Sequence, residues 1–517
     1  MYIFSKNIIV VACFILFIMT RCNSPQPIYS LDTVPFIPLP LEIKPSDEVL
    51  AIDAIKFIRV KGEDKNLSSM AQDLNTFWKK HTQQELLFLN DLADYDGTIT
   101  LIVDSDFDTL DEAYELEIES NKISIKAESA IGVFRGIKTL EQIIVLSQLA
   151  QGSDFLSLPG GEINDHPSYE YRGAMLDVSR HFFSVTDVKR YIDLLSIYKI
   201  NFLHFHLSDD QGWRIEIKSR PKLTEIGGQT EVGGGEGGFY TQEEFKEIIE
   251  YAAERFINIV PEIDLPGHTN AALASYANLN CNGKATELYT GIKVGFSTLC
   301  VDKEETYEFV DDVIREISEM TPGPYFHIGG DESHVTPVED FNRFMDRTLQ
   351  IVKKYNKIPM GWYELITADI PEETLLQYWA KTEEFSKVIS KKSKILISAS
   401  SFSYLDMKYD IDTPLGLFWA GYLPVKKAYD WDPRTLVPKF DPGQIVGLEA
   451  PLWSETIENF DGITYMAFPR IIGHAEIGWT EARKRKWDEY AQRLSFHGPL
   501  LEALDVKYYR SEEIKWK

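Results

Sequence analysis

Hydrophobic and polar positions along the chain change their period near residue 170. Before it, "TITLIVD" (98–104) and "YELEIESNKISIKAE" (114–128) alternate as strands do, the second stretch turning at Asn121-Lys122. Upstream, "SMAQDLNTFWKKHTQQELL" has helical spacing. In "AIGVFRGIKTLEQIIVL" the residues Ile131, Phe134, Ile137, Leu140 and Ile144 share one helical face. Residues 35–165 are therefore expected to form a small α+β domain, a sheet with helices on one face. The turn-rich "LPGGEINDHPSY" (158–169) is expected to close it.

After Tyr169 short apolar runs recur between longer, mostly helical segments. Eight can be read: "YRGAMLDVS" from 171, "NFLHFHLSD" from 201, "NIVPEID" from 258, "YFHIGGDE" from 325, "IPMGWYE" from 358, "TLLQYWA" from 374, "ILISASSFSYLD" from 395 and "IVGLEAPLWSE" from 445. Helices such as 186–199 and 241–256 lie between them. Eight β-α units over residues 166–517 predict a (β/α)8 TIM barrel, which makes the whole an α/β protein with its chemistry at the C-terminal ends of the strands. Those ends carry Asp177 and Arg180, Asp209 and Asp210, Asp264 and His268, Asp331 and Glu332, Trp362 and Glu364, Trp379, Tyr404 and Asp406, and Trp453 and Glu455. Flat indole faces pack on the C–H faces of a sugar ring, while carboxylates and a guanidinium hold its hydroxyls.

Composition changes this picture little. With 53 Lys and Arg against 80 Asp and Glu the net charge is −27, and without a basic run a nucleic-acid partner is not expected. The N-terminus adds more. An apolar run from Ile8 to Met19 has the length of a signal-peptide core and is short for a membrane span; residues 1–22 are read as an export signal and 23–34 as a linker. Cys22, directly after the run, resembles the lipidated cysteine of a bacterial lipoprotein, although Arg21 stands where such signals prefer a small residue. An ordinary signal peptide or an uncleaved anchor is the alternative. The expected location is periplasmic or at the cell surface, with membrane contact only through the anchor. Cys281 and Cys300, the two cysteines beyond the signal, are either a disulfide or two free buried thiols.

Three motifs compete for the chemistry. "DESH" (331–334) has the letters of a helicase box, but no phosphate-cradling GxxxxGK[ST] precedes it. His204 and His206 share a strand face and could join His268, His327 or His334 around a metal, yet their strict alternation with Leu203, Phe205 and Leu207 reads equally as barrel filling. The adjacent Asp331 and Glu332 follow two glycines at the end of a buried strand. A retaining glycosidase sets its two carboxyls about 5 Å apart on separate sides of the bond, which sequence neighbours do poorly. They suit substrate-assisted hydrolysis, in which the sugar's own 2-acetamido oxygen attacks the anomeric carbon.

From about Pro35 to the C-terminus the chain resembles the family 20 glycoside hydrolases, the β-N-acetylhexosaminidases. The segments carrying the resemblance are "RGAMLDVSRHFF", "LHFHLSDDQGWRIEIK", "GGFYTQEE", "VPEIDLPGH", "HIGGDESH" and "LEAPLWSET". The resemblance implies an exo-acting enzyme releasing terminal β-linked GlcNAc or GalNAc, without metal or cofactor. It makes Glu332 the general acid and base, has Asp331 hold the acetamido N–H, and has Tyr404 donate to the acetamido oxygen. It makes Trp362, Trp379 and Trp453 walls of the acetamide pocket, Arg180, Asp406 and Glu455 the grip on hydroxyls, and His268 with Asp209 a relay behind Glu332. The Cys281–Cys300 loop is similar to a disulfide-bearing loop of related enzymes. Tyr363 departs from the acidic residue that the family usually places there, which is expected to affect the aglycone side. A disaccharide-releasing member resembling lacto-N-biosidase and a non-catalytic glycan-binding lipoprotein are the rival readings; oligomeric state is not readable.

Overall fold

The computed structural model describes residues 30–90, 95–107, 111–152, 157–379, 393–436 and 441–517. The expected signal, with Cys22, lies outside the described residues. So do residues 23–29 of the linker. Residues 31–33 form a 3-10 turn instead of linker, because Leu31 and Val34 are buried in the core of the first domain.

That domain is a seven-stranded sheet in the order β1-β7-β5-β6-β4-β2-β3. The strands are β1 (Glu42–Ala51), β2 (Phe57–Lys61), β3 (Leu87–Phe88), β4 (Thr98–Val103), β5 (Tyr114–Ile118), β6 (Lys122–Ala127) and β7 (Ser157–Asp165). Helices α1 (Leu67–Thr82) and α2 (Ala130–Gln151) pack on each other and on β2, β5 and β6. One expectation needs correction. The stretch read as closing turns contains β7, which pairs antiparallel with both β1 and β5. Its Pro-Gly-Gly is not a turn signal. A Cβ on Gly161 would stand 2.5 Å from Lys44 O and one on Gly160 2.7 Å from Glu48 O, so the glycines admit the irregular part of β1 between Pro45 and Val49.

All eight expected barrel strands are present and close as one parallel barrel: β8 (Tyr171–Asp177), β9 (Phe202–His206), β10 (Asn258–Glu262), β11 (Tyr325–His327), β12 (Ile358–Trp362), β13 (Leu375–Tyr378), β14 (Lys394–Ile397) and β15 (Ile445–Leu452). The seventh is shorter than read, ending before a helical turn at Ser400–Ser403 that carries the chain to Tyr404. Helices Val185–Ile197 and Gln242–Ala253 each begin with a capping box, from Ser184 with Asp187 and from Thr241 with Glu244.

The first domain is bolted to the N-terminal ends of the first barrel strands. Glu112 accepts from Arg172 at 2.9 and 2.5 Å, from Arg135 at 2.7 Å and from Asn201 at 3.2 Å. Asp165 accepts from Lys199, Tyr114 and the indole N–H of Trp479. The opposite face of the barrel is left open.

Candidate active site

The C-terminal strand ends surround a cavity of about 390 Å3. Arg180, Asp331, Glu332, Trp379, Tyr404, Asp406, Trp453 and Glu455, all singled out from the sequence, line it.

The fourth strand carries the two carboxylates. Directly after β11 come Ile328, Gly329 and Gly330, then Asp331 and Glu332. Gly329 has φ +65, and a Cβ there would fall 1.8 Å from Asp264 Oδ1; only glycine lets that buried carboxyl lie under the chain. Glu332 itself has φ +45, and His268 has φ +53, the left-handed region that side chains adopt at a cost. Burial, reinforced by the neighbouring charge of Asp331, pushes the Glu332 carboxyl above its ordinary range. A carboxyl that keeps its proton longer suits a proton donor.

Behind the pair stands a charged scaffold. His268 Nε2 lies 3.7 Å from Glu332 Oε2 and 3.8 Å from Asp331 Oδ2, with no hydrogen-bond partner in the structure. Its Nδ1 faces Asp209 Oδ1 at 3.2 Å. Burial would strip the proton from this imidazole, but Asp209 and the other carboxylates outweigh it and raise His268 well above the usual histidine range. The other oxygen of Asp209 meets Arg180 Nη2 at 2.7 Å and His206 Nε2 at 3.0 Å. Asp177 caps its own loop, accepting from Ser179 N, Arg180 N and Ser454.

The wall opposite is aromatic. The guanidinium of Arg180 lies 4.7 Å from the Trp453 ring. The Trp379 indole donates to Glu364 Oε2 at 3.2 Å, and Tyr404 lies between Trp453 at 6.3 Å and Trp419 at 5.8 Å. Trp362, 1% exposed, is not among the residues lining the cavity; its ring lies 5.8 Å from that of Trp453, with its N–H on Glu262 Oε1. Both carboxyl oxygens of Asp406 are buried without a partner in the structure, and burial with Glu455 nearby raises its carboxyl well above the ordinary range. Unpaired buried oxygens beside a cavity are acceptors or donors waiting for hydroxyls.

Ile292, Val294, Leu417 and Trp419 also line the cavity and were not singled out from the sequence. They sit on loops after β10 and β14, far from any strand end; the exposed Phe418-Trp419 pair was the available signal. Cys281 and Cys300 form a disulfide at the base of the first of these loops. Asp210 holds the same loop through Ser297, and Gln211 holds it through Gly291 O.

His204 and His206 point inward, as their alternation implies. His204 meets Glu449 at 2.9 Å and Glu262 at 3.0 Å; His206 meets Glu262 and Asp209; His327 meets Glu262 at 2.8 Å. Burial works against charge on these rings, but the carboxylates push His204 up to about 10 and His206 up to about 9. The reading as barrel filling is the one that these contacts support.

Residues 169–482 match the model described as "Glycosyl hydrolase family 20, catalytic domain", and residues 33–166 match "Glycosyl hydrolase family 20, domain 2". A beta-N-acetylhexosaminidase of Cellulomonas fimi is 41% identical over 423 residues, 81% of this chain and 84% of that one. A beta-hexosaminidase of Porphyromonas gingivalis is 31% identical over 92% of this chain, which spans 64% of that longer relative. Among solved structures, the N-acetyl-beta-hexosaminidase of Streptomyces plicatus in complex with Thio-NAglucal superposes with a TM-score of 0.90 at 45% identity, over 96% of this chain and all of that one. A mutant of the same enzyme in complex with product (GlcNAc) gives the same TM-score of 0.90. With both domains matched by its models and the fold shared with its solved members, the chain belongs to glycosyl hydrolase family 20.

Proposed function

We propose that the protein is an exo-acting β-N-acetylhexosaminidase that works by retaining, substrate-assisted catalysis. The observation carrying this is the pairing of Asp331 and Glu332 at one strand end, facing a single aromatic-walled cavity. Glu332 protonates the glycosidic oxygen as the 2-acetamido oxygen attacks the anomeric carbon; the C–O bond breaks and an oxazolinium-like ring forms. Asp331 accepts the acetamido N–H and balances the positive ring. Tyr404 donates to the acetamido oxygen, fixing it for attack. Glu332, now a carboxylate, takes a proton from water, which opens the ring with retention. His268 and Asp209 support Glu332 from behind, while Arg180, Asp406 and Glu455 hold the hydroxyls of one terminal sugar. Trp379 and Trp453, backed by Trp362, enclose the acetamide. The names of the relatives, and the GlcNAc product in one of them, support this substrate class.

The test is hydrolysis of a chromogenic β-GlcNAc glycoside. Glu332→Gln and Asp331→Ala should each lose about 10²–10⁴ in kcat. EDTA should leave the wild-type rate unchanged. Full activity in Glu332→Gln, or equal turnover of a substrate lacking the 2-acetamido group, would overturn the proposal. Release of disaccharide from an oligosaccharide would favour the biosidase reading. Export with a lipid on Cys22 is part of the same proposal and rests on the apolar run before that cysteine; incorporation of labelled fatty acid, abolished in Cys22→Ala, tests it.

A further inference from the structure

Asp264 has no part in the chemistry above, yet its burial is unusual. It follows β10, is 1% exposed, and lies where the chain presenting the catalytic pair turns over it. Its Oδ1 accepts from Gly330 N at 3.1 Å, and the absence of a side chain on Gly329 is what leaves room for it. Its Oδ2 is buried without a hydrogen-bond partner. So is Oδ1 of Asp331. Ligand atoms of Asp264, His268 and Asp331 lie within 4.8 Å of one another. Two buried carboxyl oxygens without partners, on side chains this close, suit a carboxylic acid–carboxylate pair in which one oxygen carries the hydrogen that the other accepts.

We infer that Asp264 is a positioning residue whose neutral carboxyl donates its hydrogen to Oδ1 of Asp331, turning the other oxygen of Asp331 toward the acetamido group. No bond breaks: the proton stays on Asp264, and Asp331 only accepts its hydrogen bond. The groups facing Asp264 agree with this protonation. Asp331 comes from the loop after β11, Asp209 from that after β9, Glu262 from its own strand; His268 and the Gly330 N–H oppose them. Burial first, then the Asp331 charge, hold the Asp264 carboxyl well above its ordinary range. Two adjacent carboxyls sharing one proton follow the same logic as an aspartic-protease dyad.

The inference rests on Asp331 holding the acetamide, and it makes a specific demand on substitution. An asparagine can reproduce both contacts of the neutral acid: its carbonyl accepts from Gly330 N while its NH2 donates to Asp331. Leucine, similar in size, reproduces neither. The experiment compares Asp264→Asn and Asp264→Leu with wild type and Asp331→Ala on the chromogenic glycoside. A thiazoline mimic of the bicyclic intermediate serves as a binding probe, and melting temperature serves as a folding control. Expected are a loss in kcat of at least 100-fold for Asp264→Leu with KM changed less than threefold, and thiazoline affinity weakened at least tenfold. Asp264→Asn should recover kcat to within tenfold of wild type. If leucine does not fold, asparagine still decides: a loss as large as that of Asp331→Ala means the ionised form was needed and overturns the inference. A leucine variant that folds and keeps kcat overturns it too. Were Asp331→Ala itself harmless, the parent reading would fail instead.

Discussion

Replacing Glu112 with glutamine removes the charge that joins the two domains. The carboxyl lies between the Arg172 and Arg135 guanidiniums, with side-chain exposures of 10%, 1% and 0%. Burial alone would raise its pKa, but the two cations overcome that and hold it at about 2, against 4.5 unperturbed. At ~1.4 kcal/mol per pKa unit, this depression contributes about 3 kcal/mol to stability at neutral pH. The cost of leaving one side of a buried ion pair unmatched, about 3–5 kcal/mol, agrees. For a chain of this size the apparent melting temperature should fall by roughly 3 °C at pH 7, measured at one scan rate because large proteins often unfold irreversibly. Since the folded carboxyl titrates below the unfolded one, its contribution is fully present above pH 4.5 and is lost as pH falls toward 2. The gap between wild type and Glu112→Gln should therefore narrow below pH 4.5. The kcat at 25 °C should not change, because the clamp sits at the end of the barrel opposite the cavity. An unchanged melting temperature at pH 7, or a gap that stays constant from pH 5 to pH 3, would refute the reasoning.

Two further outcomes are expected. Trp419, 55% exposed at the cavity mouth, offers an indole face beyond the terminal sugar; Trp419→Ala should raise KM for oligosaccharides about tenfold while changing kcat on a small aryl glycoside less than threefold. His497 donates from Nε2 to Pro35 O at 2.9 Å and accepts from Tyr198 OH at 3.2 Å, and burial pushes it down to about 4. Its folded pKa lies below the unfolded value, so stability is lost as pH falls from about 6.5 to 4, by about 3 kcal/mol, and urea titrations of His497→Gln should show a weaker acid dependence over that window.

The sequence exposed the parts of this protein whose signal is local. The barrel strands are mostly apolar runs of three to eight residues with functional side chains at or after their ends, so a linear reading finds both strand and site. Other features are set by partners distant in the chain. The Pro-Gly-Gly of β7 reads as a turn until β1, more than a hundred residues earlier, is seen to press against it. Trp419 and Val294 belong to the cavity only because two long loops arch over the strand ends, and neither loop carries a periodic signal. Asp264 was visible at its strand end, but its meaning depends on the glycines of another strand lying over it.

The filling of the barrel completes the account of the site. Barrels of this type are usually packed with branched apolar layers, yet here a polar column runs up the axis. Tyr171 donates to Glu449, Glu449 meets His204, His204 and His206 share Glu262, His206 reaches Asp209, and Asp209 meets His268. Buried ion pairs are poor value as stability, because desolvation consumes most of the attraction. They are effective at fixing direction: Nδ1 of His204 is held by Glu449, the two ring nitrogens of His206 by Glu262 and Asp209, and Nδ1 of His268 by Asp209. The column ends at His268, whose Nε2 faces the carboxyls of Asp331 and Glu332 within 3.8 Å. Asp331 and Glu332 are neighbours in sequence but not equivalent in support. Both face one imidazole, and only Asp331 also lies over Asp264. In the proposed mechanism that asymmetry divides the work: Glu332 exchanges a proton with substrate and water, while Asp331 is held in one orientation.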